Sequence, residues 1–154
     1  RTRIDYLAQK ATELGAGALW PVFTKYTSVS RVNTERLKSN SIEAAEQSGR
    51  LTVPKILDPI DFDTLIEKWP HDRDLFCLDE TGKGAPILDA FQSSRLRASG
   101  LLIGPEGGFA KEELDQVDKL SNVCRVSLGK RILRSDTAAV AALACWQAAA
   151  GDWL

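Results

Sequence analysis

Residues 104–108, Gly-Pro-Glu-Gly-Gly, hold three glycines and a proline in five positions. A loop of that composition puts little side chain in the way, so a ligand can approach its backbone closely. The apolar run Leu101, Leu102, Ile103 leads into it, as a strand buried on both faces would. Residues 110–120, AKEELDQVDKL, lead out of it as a helix with acidic residues crowded into its first turn. Open α/β sheets bind ligands at the carboxyl ends of their strands, so strand, glycine loop and helix in that order suit a binding crevice. A sharp strand-to-helix turn without a ligand fits the same residues equally well.

Two further apolar runs, 74–78 (DLFCL) and 123–128 (VCRVSL), end in unusual loops: DETGKG at 79–84 and LGKRILRS at 128–135. If the strands are parallel, all three loops leave one edge of the sheet and build a single pocket with glycine backbone on several walls. The familiar nucleotide fingerprints do not fit. No GxGxxG follows a strand, and GKG lacks the upstream glycine and following Ser/Thr of a phosphate-binding loop, which disfavours an NTPase. In the third loop Arg131 and Arg134 flank Ile132 and Leu133, so apolar groups can line the pocket while a cation points outward. Arg134 immediately precedes Ser135-Asp136-Thr137, an N-cap cluster for the final helix. An arginine there opposes the helix dipole unless an anion or polar ligand is near. An ordinary solvated arginine is the simpler account.

The elements that must position these loops read as follows. Ile4, Leu7, Ala8, Ala11 and Leu14 fall at helical spacing, with Gly15 as a stop. Residues 18–23 (ALWPVF) read as a strand with Pro21 at an edge or irregular end. Asn33 caps a helix to about Ser48, ended by Gly49. Pro54 and Pro59 bracket an extended segment, and Asp61 or Asp63 starts a small helix ending before Pro70. Residues 85–92 read as a short helix, and 135–150 as an alanine-rich one. Helices and short strands alternate throughout, so the class is α/β: a mostly parallel sheet with helices on both faces.

The 154 residues, 44% hydrophobic, suit one domain with a real core. No apolar run approaches a membrane span and no signal-peptide pattern opens the chain. Three widely spaced cysteines read as reduced core thiols of a cytosolic protein. The single histidine, His71, has no second histidine or cysteine pair nearby, which argues against zinc. Net charge is −1, but residues 1–55 carry nine Lys/Arg against five Asp/Glu, whereas residues 56–122 carry seven against fourteen. A basic surface forms if the two ends meet; a mixed solvated surface is the simpler expectation. The chain lacks an initiator methionine and begins almost inside a helical pattern, as a piece of a longer protein would.

GPEGGF, followed some twenty residues on by SLGKRILRSDTAA, resembles the RsmE family of ribosomal RNA methyltransferases, part of the SPOUT class with its deep C-terminal trefoil knot. QKATELGAG (9–17) and EAAEQSGR (43–50) match the same family in order and spacing. Ser135-Asp136 stands where the family more often has Thr-Glu, and the family's N-terminal RNA-binding barrel is absent before Arg1.

The resemblance implies methyl transfer from S-adenosylmethionine to N3 of a uridine in 16S rRNA of the small ribosomal subunit, by a cytoplasmic homodimer that needs no metal and no membrane. It implies cofactor contacts at Leu78, Asp79 and Glu80, then at Ile103, Gly104, Pro105, Glu106 and Gly107, and finally at Ser127, Leu128, Gly129, Ile132, Leu133 and Ala138. In the dimer the final helix and the 2–14 helix are expected to be buried. Proton loss from N3 spreads charge onto O2 and O4, where Arg134, or second Arg50, would stabilise it. Glu106 is the candidate base with Asp136 behind it, and a structural role for Glu106 is at least as good a reading. Lys25, Tyr26, Arg31, Arg36 and Lys38 form a candidate RNA-facing strip, though exposed charges on a soluble protein explain each singly. A SPOUT enzyme acting on a ribose 2′-O, or a non-catalytic knotted dimer that binds RNA or nucleotide, is the competing reading.

Overall fold

A computed structural model describes residues 2–94 and 98–154. Helix α1 (Arg3–Glu13) starts at Thr2, whose hydroxyl accepts from the Asp5 N–H while the Asp5 carboxylate accepts from the Thr2 N–H, a reciprocal cap. Strands β1 (Ala18–Leu19) and β2 (Val22–Phe23) follow, then α2 (Thr34–Ser48), where Asn33 Oδ1 accepts from the Arg36 N–H at 3.0 Å. After β3 (Lys55–Ile56) and β4 (Ile60–Asp61) come α3 (Phe62–Lys68) and the five-residue β5 (Asp74–Leu78). The chain continues through β6 (Ala85–Pro86), α4 (Ile87–Ser94), β7 (Ser99–Leu102), α5 (Lys111–Asp118), β8 (Val123–Ser127) and α6 (Ser135–Ala149).

Every strand pairing in the described residues is parallel. The main sheet has the order β6-β8-β5-β7, and two small ladders, β1 with β3 and β2 with β4, stand apart from it. The α/β class with parallel strands therefore holds, with two corrections of detail. The 18–23 segment is two strands rather than one, because Pro21 brings no N–H to a ladder and the halves pair with different partners. The segment from residue 85 begins as a strand on β8 and turns helical only at Ile87.

Alternation along β5 explains why helices cover both faces. Leu75 and Cys77 point into one core with Phe62 and Leu65 of α3 and Leu114 and Val117 of α5. Phe76 points into the other, with Ile87, Ala90 and Phe91 of α4, Val126 of β8 and Ala142 of α6. Phe91 is wholly buried and meets Phe76 and Trp146 edge-on, with ring centroids 4.9 and 5.1 Å apart. Helix α1 packs on α2 and on α6, where Gln147 donates to the Leu14 carbonyl at 2.6 Å. Asp5 is sealed between α1 and α2, accepting from Asn40 and pairing with Arg36 at 2.9 Å. Among the described residues no helix is long and apolar enough to cross a membrane, and no three His, Cys, Asp or Glu side chains gather to hold a metal.

Candidate functional site

Because β5, β7 and β8 run parallel, the loops after them leave the sheet on one edge, and they meet around a cleft of about 200 Å³. The first loop lines it with Leu78, Asp79, Glu80 and Thr81, the second with Ile103, Gly104, Pro105, Glu106, Gly108 and Phe109. The third adds Leu128, Gly129 and Arg131 to Ser135, and α6 adds Ala138. Most of the residues expected at the cofactor are thus brought together. Gly107 and Ser127 are not among the lining residues; Thr81, Gly108, Phe109 and Arg131 line the cleft without having been expected as cofactor contacts.

The first loop is fixed by charge. Asp79 follows β5 directly, and its side chain is 2% exposed. Thr81 donates to it through backbone N–H (2.9 Å) and hydroxyl (2.8 Å), and Arg125 of β8 through Nη2 (2.6 Å) and Nε (3.0 Å). Burial pushes the carboxyl up, but the Thr81 hydrogen bonds and the Arg125 guanidinium outweigh it and hold Asp79 below the usual carboxylate range. The same guanidinium reaches Asp118 at the end of α5 through Nη1 at 3.0 Å. With its carboxylate committed, Asp79 offers the cleft mainly its backbone.

The second loop turns at Gly108, whose N–H donates to the Pro105 carbonyl at 2.9 Å. Gly108 has φ +70°, a conformation that favours glycine, and the exposed Glu80 carboxylate lies against its open face. Tyr26 packs against Gly107, where an added Cβ would sit 3.0 Å from the Tyr26 Cβ. Glu106, the candidate base, is exposed and paired with Arg3 of α1 at 2.8 Å. It accepts from a distant helix rather than from the loop amides expected of a structural role.

The third loop reaches α6 with Arg134 as the N-cap residue, making no side-chain cap; the expected Ser135-Asp136-Thr137 cluster lies one step inside the helix. Ser135 Oγ instead donates to the Gly104 carbonyl at 2.8 Å, which ties the third loop to the second. Arg134 is exposed at the cleft and forms no ion pair with a described residue.

Arg50 is placed elsewhere. Its Nη1 donates to the carbonyls of Thr12 (2.8 Å) and Ala16 (3.0 Å), at the C-terminal end of α1, and it does not line the cleft. Of the candidate RNA strip, Lys25 and Tyr26 sit beside the glycine loop, Arg31 and Lys38 are exposed, and Arg36 is held by Asp5. Pairings such as Asp79 with Arg125 join residues far apart in the chain, and the one sequence signal for them is a charge inside the strand VCRVS.

Residues 1–147 match the model of the RNA methyltransferase domain family. The chain is 36% identical over 134 residues to ribosomal RNA small subunit methyltransferase E of Rickettsia conorii, covering 87% of this chain and 54% of that protein. It superimposes with a TM-score of 0.89 on the crystal structure of ribosomal RNA small subunit methyltransferase E from Neisseria gonorrhoeae bound to S-adenosyl methionine, at 34% identity over 99% of this chain and 63% of that one. A Legionella pneumophila protein solved in complex with the same cofactor follows at TM-score 0.83 and 28% identity, over 97% of this chain and 62% of that one. The chain thus spans less than two thirds of the length of each of these relatives.

Proposed function

This chain belongs to the RNA methyltransferase domain family, and on that premise we propose that it transfers a methyl group from S-adenosylmethionine to N3 of a uridine in 16S rRNA of the small ribosomal subunit, in the cytoplasm. The observation that carries the reading is the meeting of three loops, after β5, β7 and β8, in one cleft, on a fold that superimposes on the Neisseria enzyme solved with this cofactor bound.

The residues present fit such a ligand. Leu78, Ile103, Leu128, Leu133 and Ala138 give apolar walls for an adenosine, and the Gly104–Gly108 backbone leaves room for polar contacts at short range. When bound, S-adenosylmethionine supplies an electrophilic methyl carbon on a sulfonium centre. The protein's own share is positioning, which supplies much of the acceleration of a two-reactant displacement. Arg134, unpaired at the cleft, stabilises the charge that spreads over uridine O2 and O4 as the N3 proton leaves. Glu106 accepts that proton once its pair with Arg3 opens, with Asp136 as reserve. Lys25 and Tyr26 engage the RNA beside the cleft, and Arg31 and Lys38 extend the contact to phosphates. We further propose that the 128–135 segment threads a trefoil knot of SPOUT type and that two copies associate about a two-fold axis.

The test is incubation of the chain with small ribosomal subunits and tritiated S-adenosylmethionine, followed by nucleoside mass spectrometry. The expected product is one 3-methyluridine. A ribose-methylated nucleoside would move the chain to another SPOUT target. No product, together with no heat of binding for S-adenosylhomocysteine, would make it a non-catalytic binder.

A further inference from the structure

The third residue of α5, Glu113, is a buried carboxylate, 6% exposed, that none of the steps above uses. Each of its oxygens takes one backbone N–H: Oε2 from Ala110 at 2.8 Å and Oε1 from Lys25 at 2.7 Å. The first bond closes the start of α5, where Ala110 has no side-chain oxygen to cap with. The second reaches 88 residues back along the chain, to a turn of four residues. That turn is closed on itself, with the Thr24 N–H donating to Thr27 Oγ1 at 2.9 Å and the Thr27 N–H to the Thr24 carbonyl at 3.2 Å.

What the turn presents is a half-exposed Tyr26 ring packed at its Cβ on Gly107, with Lys25 Nζ 5.9 Å from the ring centroid. Gly107 lies between two residues of the cleft wall, Glu106 and Gly108. A half-exposed ring with an ammonium over it, the ammonium also 3.7 Å from Glu112 Oε2, is chemistry that takes up an unstacked base and its phosphate. We propose that Glu113 is a positioning residue: it clamps the Lys25–Tyr26 turn to the glycine loop, making a docking ledge for a single-stranded nucleotide of the RNA substrate at a fixed distance from the cleft. The proposal rests on the methyltransferase reading for the identity of the RNA and on the structure alone for the clamp.

Glutamine at 113 keeps one acceptor but turns an NH₂ group toward the other N–H, so one of the two bonds is lost. Ala110→Ser gives α5 a hydroxyl cap, so that the pair A110S/E113Q keeps the helix start while freeing the turn. The experiment titrates a labelled uridine-containing single-stranded 16S fragment by fluorescence anisotropy, measures S-adenosylhomocysteine binding by calorimetry, and follows amide hydrogen exchange at Lys25. In both E113Q and A110S/E113Q the RNA dissociation constant should rise about tenfold, the scale of one well-placed hydrogen bond, with S-adenosylhomocysteine affinity unchanged. Lys25 should lose exchange protection, and E113Q added to K25A/Y26A should weaken RNA binding no further. A further loss in that triple variant, or equal RNA binding by wild type and K25A/Y26A, would overturn the ledge. Absence of methyl transfer by the wild-type chain sinks the methyltransferase reading instead and leaves these titrations standing as the test of the clamp.

Discussion

Arg125 Nη2 lies 2.6 Å from Asp79 Oδ2, at the point where β5 becomes the first loop of the cleft, and both side chains are largely buried. One ion pair therefore joins β8 to the loop that faces the ligand. Removing either partner strands a buried charge, so Asp79→Asn and Arg125→Met should each cost about 3 kcal/mol at neutral pH, read from chemical denaturation. The sign with pH follows from the lowered Asp79 value: its contribution is complete above the ordinary aspartate value of 3.8 and is lost as pH falls through the folded value. The stability gap between wild type and Asp79→Asn should shrink on acidification. A gap that stays constant down to acid unfolding would show that the pair does not titrate with the fold.

Arg134 lines the cleft and forms no ion pair with another described residue. Arg134→Ala should leave S-adenosylhomocysteine affinity intact and lower methyl transfer to ribosomal substrate by about 10²-fold or more, the scale of one lost donor at a developing oxyanion. Unchanged turnover in a tritiated-methyl assay removes this side chain from the chemistry.

Arg50 serves the fold. With two carbonyls at the end of α1 on one guanidinium nitrogen, Arg50→Ala should lower stability by about 2 kcal/mol, as loss of charged hydrogen bonds does. At a temperature where the variant is folded, methyl transfer per folded molecule should match wild type. A folded variant that binds cofactor and RNA normally yet fails to turn over would return Arg50 to the site.

Ser135 Oγ ties the third loop directly to the second. Ser135→Ala should cost about 1 kcal/mol of stability and weaken S-adenosylhomocysteine binding several-fold by calorimetry, since Gly104 loses its partner. Ser135→Thr keeps the hydroxyl and should restore most of the affinity. Equal loss in both variants would point to crowding rather than to the hydrogen bond.

Local chemistry made part of this architecture readable in advance. Asn33 and Gly49 bound α2 because a side-chain oxygen and a flexible backbone mark helix ends, and the apolar run 74–78 coincides with β5. The three loops are recognisable as a group by their unusual composition; that their strands share a direction is a condition, which β5, β7 and β8 meet. Partnerships across the fold were not readable. Glu113 looks like one more acid in a first helical turn until Lys25 is seen against it, and Arg50 ends a motif yet its guanidinium binds the end of α1. Ala85 and Pro86 read as helix because a two-residue strand leaves no periodicity, and only β8 beside them makes them one.

The strand order β6-β8-β5-β7 also bears on how the chain assembles during synthesis. β5 and β7 can pair as soon as both have emerged, whereas β6, made between them, has no neighbour in the sheet until β8 arrives. β8, translated after the other three, is thus wedged between earlier strands, and the walls contributed by the loops after β5 and β8 close around the cleft only once it is in place.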